Sequence, residues 1–429
     1  MTNNILRAQG FSTLLDPRLE ERYSMLISEH LTVMPKLAQG VKALSHLKTT
    51  FANTQAAWRF LNNENVSFQE ISRPLFQAAA QELSASTGNY GLVMHDWCRV
   101  NYYGHEAKKD KREMTSQYDV GYELYASLLI SSEAGQVISP LNLELLTQDG
   151  RYTFEHDAPI AEIEHLEQLV EATRKLDAIN LGKPLVHIID READSASHLR
   201  QMCHTKWLTR VKSTNTLQHE GSYINAKNLA SKLEGRFAGK VSYKGQEAFR
   251  YIAETRVKLI RKSEEKTQKD APEVRFIYCS IVDEEGKELA NWYLLSNVMT
   301  EPAETLALWY YWRWSVESWF KVLKGHGFQL EEWQQQTGEA IYRRLIVSSM
   351  ACVLAWKLYK DESPEAETFK GILIKFSGRL TKKKKPVTFP ALLAGLWVYL
   401  QIQEFFESYS PEEIESFMDF GRTFFGHSV

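Results

Sequence analysis

Two apolar, β-rich runs in this chain lead straight into an aspartate. YGLVMHDW (90–97) reaches Asp96, and KPLVHIIDREAD (183–194) reaches Asp190. A buried carboxylate at such a place costs free energy unless something pairs with it. Two of them on one sheet suggest a shared cation. If the two strands are parallel neighbours, both side chains come within bridging reach of an ion. Taken singly, Asp96 could close a strand at a turn and Asp190 could open a loop. His95 and His187, beside them, read as packing or hydrogen-bonding residues.

The surrounding pattern is that of a mixed α/β core. YELYASLLIS and QVISPLNLELL read as strands separated by the turn SEAGQ. IAEIEHLEQLVEATRKL carries apolar residues at helical spacing. SASHLRQMC reads as a short helix capped by Asp194 or Ser195, and KWLTRVKS as another strand. The expected order over 89–212 is strand, strand, strand, helix, strand, helix, strand. Residues 1–88 read as helices broken by Asn-rich turns, with basic residues such as Arg18, Arg22, Lys36, Lys42, Lys48 and Arg59 scattered among them. Residues 213–299 alternate like antiparallel strands and read as an inserted β subdomain. Residues 300–365 return to helix, and 366–429 read as a helical C-terminal region.

A third carboxylate lies in YYWRWSVESWFKVLKG (310–325). On a continuous helix Tyr310, Arg313, Glu317 and Lys324 fall within an arc of about 60°. By itself this stripe reads as a solvated face with an ordinary i,i+4 pair. Beside Asp96 and Asp190, Glu317 becomes a third hard oxygen donor. Oxygen-only ligation points to Mg²⁺ or Mn²⁺, and a pair of such ions suits phosphoryl transfer. Arg313 and Lys324 would then hold substrate phosphates.

Bulk composition narrows the setting. The 429 residues call for two to four domains. A net charge of −3 requires that any nucleic-acid contact be local. The basic runs KKDKR (108–112) and TKKKKP (381–386) are the obvious clusters. The four cysteines lie far apart with no C-x-x-C pair, against a zinc knuckle or disulfide framework and in keeping with a reducing cytoplasm. The start MTNNILRAQGFSTLL lacks a signal-peptide core, and the longest apolar run, 345–356, is too short to span a bilayer, so no membrane partner is expected.

These motifs together resemble the DDE transposases of the insertion-sequence-four family, and within it the branch of the Tn-five transposase. The family spacing Tyr, two residues, Arg, three residues, Glu, six residues, Lys is met by Tyr310, Arg313, Glu317 and Lys324. The string DREAD follows a strand at 190–194, and the first acid falls at Asp96. LDPRLEER and AAWRFLNNENVS look like the family's end-recognition segments. The resemblance implies an RNase H-like core with a β insertion, and Asp96, Asp190 and Glu317 as ligands of two Mg²⁺ or Mn²⁺ ions. It implies cleavage of double-stranded DNA at transposon terminal inverted repeats, a hairpin intermediate, and joining of the 3′-hydroxyl to target DNA. Tyr310, Arg313, Lys324 and Arg210 would contact DNA. Trp292, in NWYLLSN, would stack on a flipped base. The helix ALLAGLWVYLQIQEFF sits where the family pairs into a homodimer, and a bacterial, nucleoid-associated setting follows. A different RNase H-fold nuclease and a non-catalytic, domesticated DNA-binding derivative stay open as alternatives.

Overall fold

The computed structural model describes residues 4–32, 50–243, 246–265, 270–378 and 387–426. Lys36, Lys42, Lys48 and the run TKKKKP lie outside the described residues. Four helices come first: α1 (Ile5–Ala8), α2 (Pro17–Thr32), α3 (Thr50–Leu61) and α4 (Phe68–Ala85). The strands β1 (Gly91–Asn101), β2 (Arg112–Glu113), β3 (Val120–Ser131), β4 (Val137–Thr147), β5 (Gly150–Thr153) and β6 (His156–Ile160) follow. Then come α5 (His165–Ala178), β7 (Leu185–Ile189), α6 (Ala196–Gln201) and β8 (Lys206–Val211). The next stretch holds β9 (Thr216–His219), β10 (Ser222–Asn225), α7 (Ala226–Ala230), β11 (Arg236–Tyr243), β12 (Gln246–Lys258), β13 (Glu273–Val282) and β14 (Glu288–Ser296). Helices α8 (Ala303–Tyr311), α9 (Trp314–Lys321), α10 (Gly338–Lys360), α11 (Pro364–Phe376), α12 (Phe389–Ser408) and α13 (Pro411–Phe425) complete the described chain.

Every described strand joins one large, mostly antiparallel sheet, whose main path is β10-β9-β12-β13-β14-β8-β7-β1-β3-β4-β5-β6. At its centre β1, β3 and β4 form an antiparallel meander. On the other side of β1, strands β7 and β8 run parallel to it and to each other. The residue 213–299 segment does not close into a sheet of its own. Its last strand, β14, pairs antiparallel with β8, matching Tyr293 to Val211 and Ser296 to Leu208, so the insertion extends the central sheet. The short strands β2, β5 and β6 add to the expected strand order.

One of the two expected caps of α6 is realised, and one expected helix is broken. Ser195, not Asp194, caps α6, accepting the His198 N–H; Asp194 instead accepts the Lys212 N–H at 3.0 Å. Helix-forming residues 310–325 are not one continuous helix. The ladder tightens after α8, with Arg313 N–H donating to Tyr310 O, Ser315 N–H to Trp312 O and Val316 N–H to Arg313 O. It widens again over 322–326 after α9. Trp312, at the tight point, covers Gly135 of the β3–β4 turn. That glycine has φ +64°, and a Cβ there would stand 2.5 Å from the indole.

The N-terminal helices share the core of the sheet. Buried Tyr23, Phe60 and Phe68 belong to the same apolar cluster as Tyr342 and Ile346 of α10. Arg343 of α10, 1% exposed, donates to Leu61 O and Val66 O. The expected boundary at residue 88 therefore marks a change of secondary structure, not a gap in packing. Helix α12 packs on α11, α2 and α10. No helix among the described residues is long and apolar enough to cross a membrane.

Candidate active site

Strand β1 does not stop at Asp96. It pairs with β3 over its whole length, from Gly91 opposite Ser131 to Asn101 opposite Gly121. The parallel pairing on its other side is shorter, from Gly91 opposite Leu185 to Met94 opposite Ile188. Carrying the same offset two residues further sets Asp96 beside Asp190. The sheet thus opens on one side of β1 just where the two aspartates stand. Such a crevice beyond the carboxyl ends of parallel strands is where open α/β sheets place their ligands.

Glu317 reaches this point from α9, and Arg313 sits in the middle. Its Nη1 donates to Asp96 Oδ2 at 3.3 Å, its Nη2 lies 3.8 Å from Asp190 Oδ2, and Nη2 also bonds Glu317 Oε1. The Tyr310 hydroxyl donates to Asp190 Oδ1 at 3.1 Å. The Trp97 N–H donates to Asp96 Oδ1 at 3.0 Å. Asp96, Asp190, Glu317, Tyr310 and Arg313 are therefore brought together from three distant parts of the chain.

The electrostatics follow from burial. Desolvation pushes the Asp96 carboxyl up to about 6; Arg313 and the Trp97 N–H pull it down, while Glu317 and Asp190 push it further up. Burial would lower the Arg313 guanidinium, but Tyr310, Asp190, Asp96 and Glu317 overcome that and hold it above its ordinary value. The Tyr310 phenol is raised, first by burial and then by Asp190.

The three carboxylates are hard oxygen donors, of the kind Mg²⁺ or Mn²⁺ takes. A positive group, the guanidinium, already occupies their common ground. As the side chains stand, no group of three acidic, histidine or cysteine residues among the described ones is spaced to grip one ion. The trio matches a divalent ion in charge and donor type, with its spacing in this state fitted to Arg313.

The remaining expected residues line two adjoining clefts. Lys324 lies with Asp96, Glu317 and Lys321 in a cleft of about 510 Å³; its Nζ is 2.9 Å from Glu331 Oε1 and donates to Arg99 O. Arg210 and Trp292 line a larger, aromatic cleft of about 1060 Å³ on the other side of Arg313. Arg210 donates to Asn291 O at 3.5 Å. Trp292 is only 7% exposed, its ring 6.4 Å from Tyr310 and 6.3 Å from Tyr311. Trp314, which the sequence reading did not single out, is 54% exposed on the same cleft, 5.8 Å from the Arg313 guanidinium carbon. Its place one residue after Arg313 was the available signal.

The run KKDKR is not a free phosphate-binding cluster. Buried Lys108 donates to Trp333 O and Gln335 O, and Lys111 to His105 O and Tyr102 O. Asp110 accepts the Gly338 N–H, and Arg112 pairs with Glu162. Lys109 alone of the five is exposed. The run ties its loop to the segment before α10.

A mixed α/β sheet with two aspartates at a parallel-strand opening and a glutamate on a covering helix is compatible with a DDE nuclease fold. The family model for the transposase DDE domain matches residues 138–354, about half of the chain, including Asp190 and Glu317 and beginning after Asp96. The chain belongs to this family of transposases, and DNA is its substrate. No curated protein matches the chain.

Proposed function

We propose that this chain is a cut-and-paste transposase of the insertion-sequence-four type, built on an RNase H-like core. The observation that carries the reading is the β1–β7 register, which sets Asp96 beside Asp190 with Glu317 close by around Arg313. The meander β4-β3-β1 followed by parallel β7 and β8 supports the core assignment.

In this reading Asp96, Asp190 and Glu317 hold two Mg²⁺ or Mn²⁺ ions. Such ions supply activation of the attacking oxygen and neutralisation of the leaving one. The chain's own residues orient the DNA. Arg313 and Lys324 bind phosphates flanking the scissile bond, Tyr310 fixes Asp190 through its hydroxyl, and Arg210 adds charge on the aromatic side. Water first cuts the phosphodiester at the transposon end. The freed 3′-hydroxyl attacks the opposite strand to make a hairpin, water opens it, and the 3′-hydroxyl joins target DNA. Each step is an in-line displacement at phosphorus, so one site serves all four. A hairpin needs an unstacked base. Exposed Trp314 offers a ring directly, and Trp292 underlies the same cleft.

Other parts of the reading have local support. Trp58 and Arg59 are exposed on α3, where end recognition would occur. Phe406, Phe417, Phe420, Phe424 and Phe425 are exposed on α12 and α13, the apolar surface a homodimer would cover.

The test is cleavage of a duplex built from the DNA that flanks the reading frame. Asp96→Asn, Asp190→Asn and Glu317→Gln should each lower Mg²⁺-dependent nicking by roughly 10³-fold or more, about 4 kcal/mol of barrier. Gel-shift binding of the same duplex should persist. Full nicking by any one of them removes that residue from the ligand set.

A further inference from the structure

Three carboxylates converge on the Arg313 guanidinium in this site. Arg313 bonds Glu317 closely and reaches the two aspartates only loosely. Its contact to Asp96 is 3.3 Å and that to Asp190 is 3.8 Å, neither the short bidentate fork that arginine makes with a single carboxylate. Arg191 Nε also lies 3.9 Å from Asp190 Oδ1, so three acids meet two guanidiniums and the cluster keeps an excess of one negative charge. The Arg313 side chain is 8% exposed, yet it borders the aromatic cleft on one side and the carboxylates on the other. It is held by charge and has open space to turn into.

We propose that Arg313 is the stand-in cation of the DNA-free protein. An entering phosphate draws the guanidinium off Asp96 and Asp190 toward the cleft, and divalent ions take the ground it leaves. Metal loading is thereby coupled to DNA, and the protein without DNA resists metal. The inference rests on the reading of Asp96, Asp190 and Glu317 as ligands. It adds to that reading an exchange in which one residue first substitutes for the metal and then clamps the substrate.

Mn²⁺ binding by the full chain tests this, read as loss of the free-ion paramagnetic resonance signal, with no turnover involved. DNA-free Arg313→Gln should bind Mn²⁺ about tenfold or more tightly than DNA-free wild type. Adding an end duplex should bring wild type close to the variant while shifting the variant far less. Equal or weaker Mn²⁺ binding by Arg313→Gln overturns the exchange. If Arg313→Gln does not fold, Arg313→Lys, which keeps the charge and loses the fork, should bind more tightly than wild type; parity overturns the exchange. Adding Asp96→Asn to the Arg313 variant should abolish the gain. A gain that survives the loss of Asp96 shows that the acids are not the ligands, a failure of the underlying reading distinct from a failure of the exchange.

Discussion

The two faces of β1 bury polar groups in opposite ways. Below the strand, His95 Nε2 meets His187 Nδ1 at 2.8 Å, and His187 Nε2 meets Asp177 at 3.2 Å. His95 Nδ1 meets the hydroxyls of Tyr125 and Ser127. Further along this face Trp97 donates to Gln168, Gln168 to Glu144, and Arg151 to Glu144 and Glu171. Helix α5 closes over that network, and each of these groups has a partner. Above the strand, one residue along, Asp96 shares a single guanidinium with two other acids. Donors and acceptors that match hold a framework rigid. Charges that do not match hold a place for something else. The alternation of side chains along a strand lets both kinds of site stand on neighbouring residues.

Three measurements can break this contrast. The largest effect belongs to the matched side. Glu144→Ala removes one partner of a buried pair, with side chains 1% and 6% exposed, and should destabilise the protein by about 3–5 kcal/mol in denaturant unfolding. A loss under 1 kcal/mol would mean that the lower network is not a framework.

The opposite sign is expected above the strand. A folded-state value near 6 for Asp96 lies above the ordinary carboxylate value, so the folded protein binds more protons than the unfolded chain between about pH 4 and 6. Ionised Asp96 therefore lowers stability as pH rises through that window. Asp96→Asn should stabilise the metal-free protein by about 1–3 kcal/mol above pH 6, with the gain fading toward pH 4. A variant less stable than wild type at pH 8 contradicts the contrast.

The smallest effect concerns Lys324. Its pair with Glu331 is 30% exposed on both sides, so Lys324→Ala should change stability by less than about 1 kcal/mol. It should reduce the salt slope of DNA binding by about one phosphate contact. An unchanged slope removes Lys324 from the backbone contacts.

Much of this was legible in the residues, and the limits have physical causes. Asp190 could be placed because an apolar run and a turn bracket it. Asp96 was placed on the right strand, but that strand's end was misjudged, since its last five residues are held by β3 and carry no strong apolar signal. The Arg313–Glu317 pair follows from i,i+4 spacing, whereas the reach of Arg313 to Asp96 spans 217 positions, which local periodicity cannot encode. KKDKR looked like surface charge because nothing in the run says that a segment 225 to 227 residues later supplies carbonyls to Lys108. Trp292 lies on a strand whose partners bury it, and Trp314 is exposed on a helix where the ladder tightens; both depend on packing.

The offset that aligns Asp96 with Asp190 comes from strand pairing, and Glu317 follows only after the β14–β8 contact has returned the chain to the same place. A ribosome must therefore have made more than three hundred residues before all three acids can stand together. A fragment ending before residue 317 lacks the third acid, and with it the group that shares Arg313 Nη2 with Asp190.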